Sequence, residues 1–285
     1  MNIAVLRALA SVAAMVTIGV SAHAQSKSQC PVDHDKLAQV LKKNVQASGG
    51  PDEGGLPVNE WAAVVNRDGV VCAVAFSGDK PTDQWLGSRA IAVEKANTAN
   101  AFSLDKYAIS TANLWAASQP GGSLYGAGAS NPPVAQDLYA GNPATWGSGA
   151  DPLTGKVVGG VIVFGGGLGL YDGKHIVGAL GASGNTSCAD ANIAWRVRKA
   201  LGLDKVPNGP SPQHNDAIIY DIGANGKSES GWGHPRCGHN AAKIAQQIGS
   251  GIVKVSGSSP PPHAPDGSGA NPPPQGHPDQ PAPPK

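Results

Sequence analysis

Residues 166–201 read GGLGLYDGKHIVGALGASGNTSCADANIAWRVRKAL, and this stretch decides the fold. Its first half holds two apolar runs, Leu168–Tyr171 and Ile176–Ala182, on either side of a turn at Asp172-Gly173. Short apolar runs around an Asp-Gly turn predict a β-hairpin. The second half, from Ser187 to Leu201, has apolar residues at helical spacing, with Ser187 as the expected N-cap. The stretch therefore predicts a strand hairpin that leads directly into a helix.

The rest of the body, about residues 31–255, reads as alternating helices and strands. The predicted elements are a helix over 37–45, a hairpin of strands 61–65 and 70–76, an alanine-rich helix over 84–102, a weaker helix over 107–118, a strand over 157–164 and a short helix near 241–248. The mixture of helices and hairpins indicates an α+β domain.

The composition excludes several classes of protein. The chain has 285 residues, of which 40% are hydrophobic and 14% are charged, and its net charge is +1. Such a balance argues against a nucleic-acid binder and against a polybasic membrane-surface protein, because both work through an excess of positive charge. The apolar fraction suffices for a folded core of one large or two small domains.

The first 24 residues have the pattern of a secretory signal peptide. Arg7 supplies the positive charge, Ala8–Val20 is an apolar run of 13 residues, and Ala22-His23-Ala24 is a small-residue cleavage site. A run of that length is too short to span a bilayer, which needs ~20 residues, and no later segment is long enough either. We therefore predict a periplasmic or secreted protein without a transmembrane segment.

Four cysteines follow the predicted cleavage site, at positions 30, 72, 188 and 237. An oxidising compartment favours disulfides, and four cysteines allow three pairings. Cys188 and Cys237 lie in polar, loop-like sequence, so their pairing is favoured. Cys72 lies inside an apolar strand-like run, where a buried thiol is the other interpretation.

Three segments lie outside the regular pattern. Residues 119–155 contain eight glycines and five prolines without any period, and they include Tyr125 and Tyr139. A loop of this length is either a binding loop or a surface excursion. Residues 207–255 form an irregular C-terminal extension, and residues 256–285, with 11 of the 24 prolines, are expected to be a disordered tail.

The start of the helix after the second hairpin is a candidate ligand site. Unpaired backbone N–H groups at a helix N-terminus form an anion-friendly concavity. The residues expected to line it are Ser183, Gly184, Asn185, Thr186 and Ser187. Lys95 and Thr98, one turn apart on the alanine-rich helix, are expected to reach a ligand at its edge. An ordinary capped turn and a surface lysine are the alternatives.

Several familiar motifs are absent from the sequence. The glycine-rich stretches fit neither a dinucleotide-binding motif nor a phosphate-binding loop. His234, Cys237 and His239 form a possible metal cluster, but a disulfide-bonded Cys237 could not ligate a metal, and a stapled loop is favoured. No residue is assigned a catalytic role, and whether the protein is an enzyme stays open.

Five pieces of sequence together point to a known family. They are AVVNRDG at 63–69, KANTA at 95–99, the glycine corner and hairpin turn at 166–173, GALGASG at 178–184, and Asp190 in the last helix. In this order they resemble the GlcG/HbpS family of haem-binding and haem-degrading-like proteins. The resemblance covers about residues 34–206, within a predicted domain of residues 31–206 that has the insert at 119–155. The resemblance implies a profilin-like layout, in which a central antiparallel sheet of about five strands is flanked by helices, and homo-oligomers.

The resemblance also implies haem as a ligand, with haem capture, buffering, sensing or degradation as the role. No iron-ligand motif carries over. The candidate iron ligands are His34 and His175 in the matched region, with Tyr125 and Tyr139 in the insert as further candidates. An enzyme or binding protein for a small carboxylate-bearing molecule is the alternative function, and an interaction module that docks through the Pro-rich tail is a third.

Overall fold

The computed structural model describes residues 28–173 and 175–253. The predicted signal peptide, residues 1–24, and the predicted disordered tail, residues 256–285, lie outside the described residues. Within the described ranges, no helix combines the length and the apolar character that a membrane crossing requires.

An antiparallel sheet of four strands forms the centre of the molecule. The strands are β1 (Trp61–Asn66), β2 (Val71–Phe76), β3 (Gly167–Tyr171) and β4 (Ile176–Ser183), in the spatial order β2-β1-β4-β3. Both predicted hairpins and the α+β class are thus confirmed. In the described residues the central sheet has four strands, against the expected count of about five.

The strand predicted over 157–164 does not form. Gly160 has a left-handed φ of 83°, and the segment makes only isolated bridges to other parts of the chain. Its backbone is instead bound by side chains of the alanine-rich helix: Asn97 donates to the Gly160 carbonyl at 2.8 Å, and the Ile162 amide donates to Thr98 Oγ1 at 2.9 Å. These bonds satisfy backbone groups that a sheet neighbour would otherwise have to satisfy.

Seven α-helices surround the sheet in the described part of the chain. They are α1 (His34–Lys43), α2 (Gly87–Phe102), α3 (Trp115–Ser118), α4 (Ala127–Ser130), α5 (Ala135–Leu138), α6 (Ser187–Ala200) and α7 (Ala241–Ile248). Short 3-10 turns lie at Gln46–Ser48, Pro81–Asp83, Thr111–Leu114 and Pro143–Thr145. The weaker helix predicted over 107–118 is therefore a 3-10 turn followed by α3, and the insert contains short helical segments that its composition did not predict.

Helix α2 covers one face of the sheet, whereas α1 and α6 cover the other. Alternate residues of β1 point to the two faces, which is why the whole strand is buried. Gly181 of β4 is required for the contact with α2. A Cβ atom at this position would lie 1.9 Å from the carbonyl oxygen of Ala92, so any larger residue would push the helix off the sheet.

Two disulfides tie the outer segments to this body. Cys188–Cys237 joins the first turn of α6 to the C-terminal extension, and this predicted pair is confirmed. Cys30–Cys72 joins the segment before α1 to β2, so the interpretation of Cys72 as a buried thiol is wrong. The extension also contributes a pair of parallel strands that the sequence did not predict, β5 (Ile218–Tyr220) and β6 (Gly251–Val253).

Candidate functional site

Lys95 lies beside the start of α6, as the sequence predicts, but it is fully buried. Its ammonium group donates to Asp190 Oδ2 at 2.6 Å and to the Ala182 carbonyl oxygen at 2.9 Å. Thr98, one turn further along α2, accepts a hydrogen bond from Ile162 and donates to the Glu94 carbonyl oxygen. Both side chains are thus occupied by partners within the protein.

The chain's own Asp190 carboxylate occupies the anion-friendly end of α6. Its Oδ1 accepts the Asn185 amide proton at 2.8 Å while its Oδ2 accepts from Lys95. The N-cap is Thr186, whose hydroxyl accepts from Ala189, so the prediction of Ser187 as the cap is wrong. An external carboxylate would have to displace Asp190 from these donors, and carboxylate binding here stays an unsupported prediction.

The remaining residues predicted for this site serve the local structure. Ser183 is the last residue of β4 and is buried. Gly184 has a φ of 156° and packs so closely that a Cβ atom would lie 2.7 Å from both the Asn59 carbonyl oxygen and Glu60 Oε2. The Asn185 side chain exchanges two hydrogen bonds with the backbone of Leu56.

Glu60 is the member of this cluster that sequence reasoning missed. It is completely buried, and neither carboxyl oxygen has a hydrogen-bond partner among the described residues. Burial raises the pKa of Glu60 well above its usual value, and the facing Asp190 carboxylate adds to the rise, whereas Lys95 opposes it. Burial also raises the pKa of Asp190, against the pull of Lys95. Asp190 receives hydrogen bonds from Lys95 and Asn185 whereas Glu60 receives none, so the structure stabilises the charged form of Asp190 and disfavours that of Glu60.

Two further buried ion pairs anchor the segments outside the core. Arg89 of α2 forms a two-point pair with Asp151 of the insert, one contact of which is 2.9 Å. Arg198 of α6 forms a similar pair with Asp216 of the extension at 2.6 and 2.8 Å. The insert is therefore fastened to α2 at its base. Its predicted ligands, Tyr125 and Tyr139, are exposed.

The two candidate histidine ligands differ in how their ring nitrogens are used. Both nitrogens of His34 are occupied: Nδ1 lies 3.0 Å from Asp35 Oδ1, and Nε2 lies 3.0 Å from the Gly147 carbonyl oxygen. His175 uses only Nδ1, which lies 3.1 Å from Asp105 Oδ2. Among the described residues, Nε2 of His175 has no partner.

Asp105 holds the His175 ring in place. Its other oxygen accepts the amide proton of Ile176 at 3.1 Å. Hydrogen bonds from His175 and Ile176 hold the pKa of Asp105 below its ordinary value, so the carboxylate is ionised. A histidine with one nitrogen on a carboxylate and the other free is the arrangement of a metal-ligating imidazole.

The surface beside His175 is open and partly apolar. Leu104, next to Asp105, is 64% exposed although its carbonyl is fixed by a 2.8 Å hydrogen bond from the Tyr171 hydroxyl. A cavity of about 320 Å³ lies elsewhere and has polar walls, formed by Lys42, Ala47, Ser48, Asn59, Ser77, Gly78, Asp79 and Asp83. That cavity does not suit a flat apolar macrocycle.

The possible metal cluster near His234 is part of a loop that a disulfide closes. Ligand atoms of Cys188, His234 and Cys237 lie within 4.8 Å of one another, but the two sulfurs are joined in a disulfide. Burial lowers the pKa of His234 to about 4, so its imidazole is neutral at pH 7. The Gly165 amide donates to Nε2 at 3.4 Å, which leaves the proton on Nδ1, where it is donated to the Pro235 carbonyl at 2.7 Å.

Comparison with known proteins places the central part of the chain in a family. Residues 59–198 match the family model described as haem degrading protein HbpS-like. No curated protein matches the chain. Among solved structures, the chain is similar to the Klebsiella pneumoniae protein ORFY of the DUF336 family, with 22% identity and a TM-score of 0.41 over 62% of this chain and 96% of that one. It is also similar to a PduOC:heme complex, with 23% identity and a TM-score of 0.41 over 60% and 94% of the two chains. The matched residues contain both hairpins and the Lys95 and Asp190 motifs. Residues 59–198 therefore belong to the HbpS-like family.

Proposed function

We propose that the HbpS-like domain binds haem and that His175 is the iron ligand. The observation that carries the proposal is the His175–Asp105 pair, in which a carboxylate orients an exposed imidazole and leaves Nε2 without a partner among the described residues. The family description, which concerns haem, supports the choice of ligand. Of the two candidate histidines, only His175 offers a ring nitrogen that no other group in the described structure uses.

The residues around His175 fit an exposed haem site better than an enclosed one. Leu104 offers an apolar contact beside the imidazole, and Lys205, which lies by the turn at Gly173, offers a cation for a propionate. A single chain would leave much of the macrocycle in water. We therefore include self-association in the proposal, since a second copy of the chain would cover that apolar surface.

The protein's contribution at such a site is to bind and to orient. Asp105 accepts the Nδ1 proton of His175, which fixes the tautomer and makes Nε2 the basic nitrogen. A bound haem would supply reversible ligand and electron chemistry at its iron. Capture, buffering or sensing of haem requires only this binding, and we propose a role of that kind.

We also propose that the protein works outside the cytoplasm. The signal-peptide pattern of residues 1–24 supports export. The two disulfides support an oxidising compartment, because such bonds are rare in the reducing cytosol.

Haem titration of the purified protein, followed by absorbance, tests the proposal. We expect a Soret shift for the wild type and for His34→Ala, because both ring nitrogens of His34 are already hydrogen-bonded. We expect His175→Ala to lose the shift and to weaken affinity by about tenfold or more. Phenylalanine substitutions at Tyr125 and Tyr139 are expected to leave the spectrum unchanged.

A metal-free porphyrin separates iron ligation from contact with the ring. Protoporphyrin IX, followed by fluorescence, is expected to bind wild type and His175→Ala alike, because it has no iron to ligate. A wild-type Soret band and affinity in His175→Ala would refute the assignment of His175. Absence of any shift in the wild-type protein would refute haem binding itself.

A further inference from the structure

The two disulfides differ in the hydrogen-bond donors around them. In the Cys188–Cys237 bond, each sulfur faces the backbone N–H of the other cysteine: Cys188 N lies 3.2 Å from Cys237 Sγ, and Cys237 N lies 3.1 Å from Cys188 Sγ. In the Cys30–Cys72 bond, Cys72 Sγ lies 3.7 Å from the Val70 carbonyl oxygen. The first disulfide is therefore met by two backbone donors, whereas this contact of the second is with an acceptor.

One more donor and one carbonyl oxygen lie beside the Cys188–Cys237 bond. The Ser187 hydroxyl lies 3.5 Å from Cys237 Sγ. The Pro235 carbonyl oxygen, which accepts the Nδ1 proton of His234, lies 3.6 Å from Cys188 Sγ. The donors belong to the first turn of α6, a helix of 14 residues, and to the backbone of the C-terminal extension at Cys237, so two independent parts of the structure supply them.

Donors of this kind have little to gain from a disulfide and much to gain from a thiolate. A disulfide sulfur is a weak hydrogen-bond acceptor, whereas a thiolate is a strong one and is stabilised at a helix N-terminus. Interactions that stabilise the reduced form make a disulfide easier to reduce. A carbonyl oxygen beside a sulfur has the opposite effect, because it repels a negative charge. Cys72 and Cys188 each have one such neighbour, so the backbone donors at Cys188–Cys237 make the difference between the two disulfides.

We propose that Cys188–Cys237 is a redox-active disulfide that exchanges with dithiols, while Cys30–Cys72 is structural. Cys237 is partly exposed and Cys188 is completely buried, so Cys237 Sγ is the sulfur that an incoming thiolate attacks. A bond forms between the reductant and Cys237, the bond between the two cysteines breaks, and its electron pair passes to Cys188 Sγ.

A second thiolate of the same reductant completes the reaction. It attacks the reductant's own sulfur in the mixed disulfide and releases Cys237 as a thiolate. The protein gains two electrons and, after protonation, two thiols, while the dithiol becomes a disulfide. Metal binding by the reduced cysteines is disfavoured, because the His234 nitrogen nearest Cys188 holds a proton and presents no lone pair.

Equilibration in dithiothreitol buffers of graded reduced-to-oxidised ratio tests the proposal. The folded full chain is equilibrated and alkylated, and the reduced fraction of each cysteine pair is measured by peptide mass spectrometry. We expect Cys188–Cys237 to be half reduced at about a tenfold lower ratio than Cys30–Cys72. Exposure alone predicts the reverse order, because Cys30 is exposed.

Two double-alanine variants serve as matched controls. Replacement of Cys30 and Cys72 leaves only the proposed redox pair, and replacement of Cys188 and Cys237 leaves only the structural pair. The same order of midpoints is expected in the variants, with Cys237 alkylated before Cys188 and with near-ultraviolet circular dichroism retained after reduction. Equal midpoints, earlier reduction of Cys30–Cys72, or reduction of Cys188–Cys237 only in urea would each overturn the proposal.

Discussion

The two ends of strand β4 each carry a base paired with an acid, yet the pairs have opposite surroundings. Before the strand, His175 and Asp105 are 66% and 54% exposed; beside its end, Lys95 and Asp190 are 0% and 2% exposed. Water surrounds the first pair and leaves a ring nitrogen free. Protein surrounds the second pair, and the Lys95 ammonium donates to Asp190 and to the Ala182 carbonyl oxygen. The comparison teaches that similar side-chain chemistry serves ligand access in one place and fold integrity in the other.

The difference arises from what covers each end. The His175 end is a hairpin turn at which both His175 and Asp105 are exposed. The other end lies between α2 and α6 and is closed by the irregular segment before β3, whose Phe164 ring lies 5.0 Å from Lys95 Nζ. Charges interact weakly in water and strongly in an enclosed, low-dielectric site. Substitutions at the two ends should therefore differ sharply in their effect on stability.

The largest effect is expected for Lys95→Met. Its loss leaves the buried Asp190 carboxylate without a counter-charge, so we expect the free energy of unfolding to fall by about 3–5 kcal/mol. Urea denaturation measures this change, with Lys243→Met at an exposed position as the control, for which about 0.5 kcal/mol or less is expected. A double variant, Lys95→Met with Asp190→Leu, should recover much of the loss. A single-variant loss below about 1 kcal/mol would contradict this view of the buried pair.

A smaller, pH-dependent effect is expected for Glu60→Gln. Because the pKa of Glu60 is raised in the folded state, the unfolded chain releases this proton at lower pH, and wild-type stability falls as pH rises above the ordinary value of 4.5. The loss continues until the pH reaches the folded pKa. Glutamine removes this dependence, so the variant should gain stability relative to wild type between pH 5 and pH 8 in urea denaturation. A constant difference between the two proteins would show that Glu60 ionises normally.

The smallest effect on stability is expected for Asp105→Asn. This side chain is solvated, so its pair with His175 contributes little to folding, and the unfolding midpoint should stay at the wild-type value. Haem affinity, in contrast, should weaken by roughly tenfold, because the imidazole loses the carboxylate that orients it. Parallel thermal unfolding and haem titration provide the measurement. A shifted unfolding midpoint with unchanged haem affinity would contradict the prediction, because it would show that Asp105 serves stability and not ligand binding.

Local patterns predicted much of the fold. The Asp-Gly turns at 68–69 and 172–173, the alternation of the strands and the period of α6 are properties of neighbouring residues, and both hairpins and that helix form as predicted. The false strand over 157–164 has apolar residues in the right number. It fails because Asn97 and Thr98, some 60 residues earlier, bind its backbone, and no local pattern records such a contact.

The candidate site shows the same division. The sequence placed Lys95 beside the start of α6, where it lies, but predicted an external anion there. Asp190 is one of the residues that carry the family resemblance, yet its role as the occupant depends on a side-chain direction that spacing cannot supply. In the sequence, Glu60 is a single acid directly before an apolar strand. Its burial depends on the packing of the helices against the sheet, which the sequence pattern does not show.

The amino-acid sequence by itself determined the hairpins, the main helices, the favoured Cys188–Cys237 pair and the family resemblance, because these depend on residues close in the chain or on motifs in a fixed order. The tertiary structure alone decided which histidine keeps a ring nitrogen without a partner, which carboxyl is buried with a raised pKa and which disulfide faces backbone donors. Those properties depend on solvent exclusion and on hydrogen bonds between distant segments, and both arise only when the layers close around the sheet.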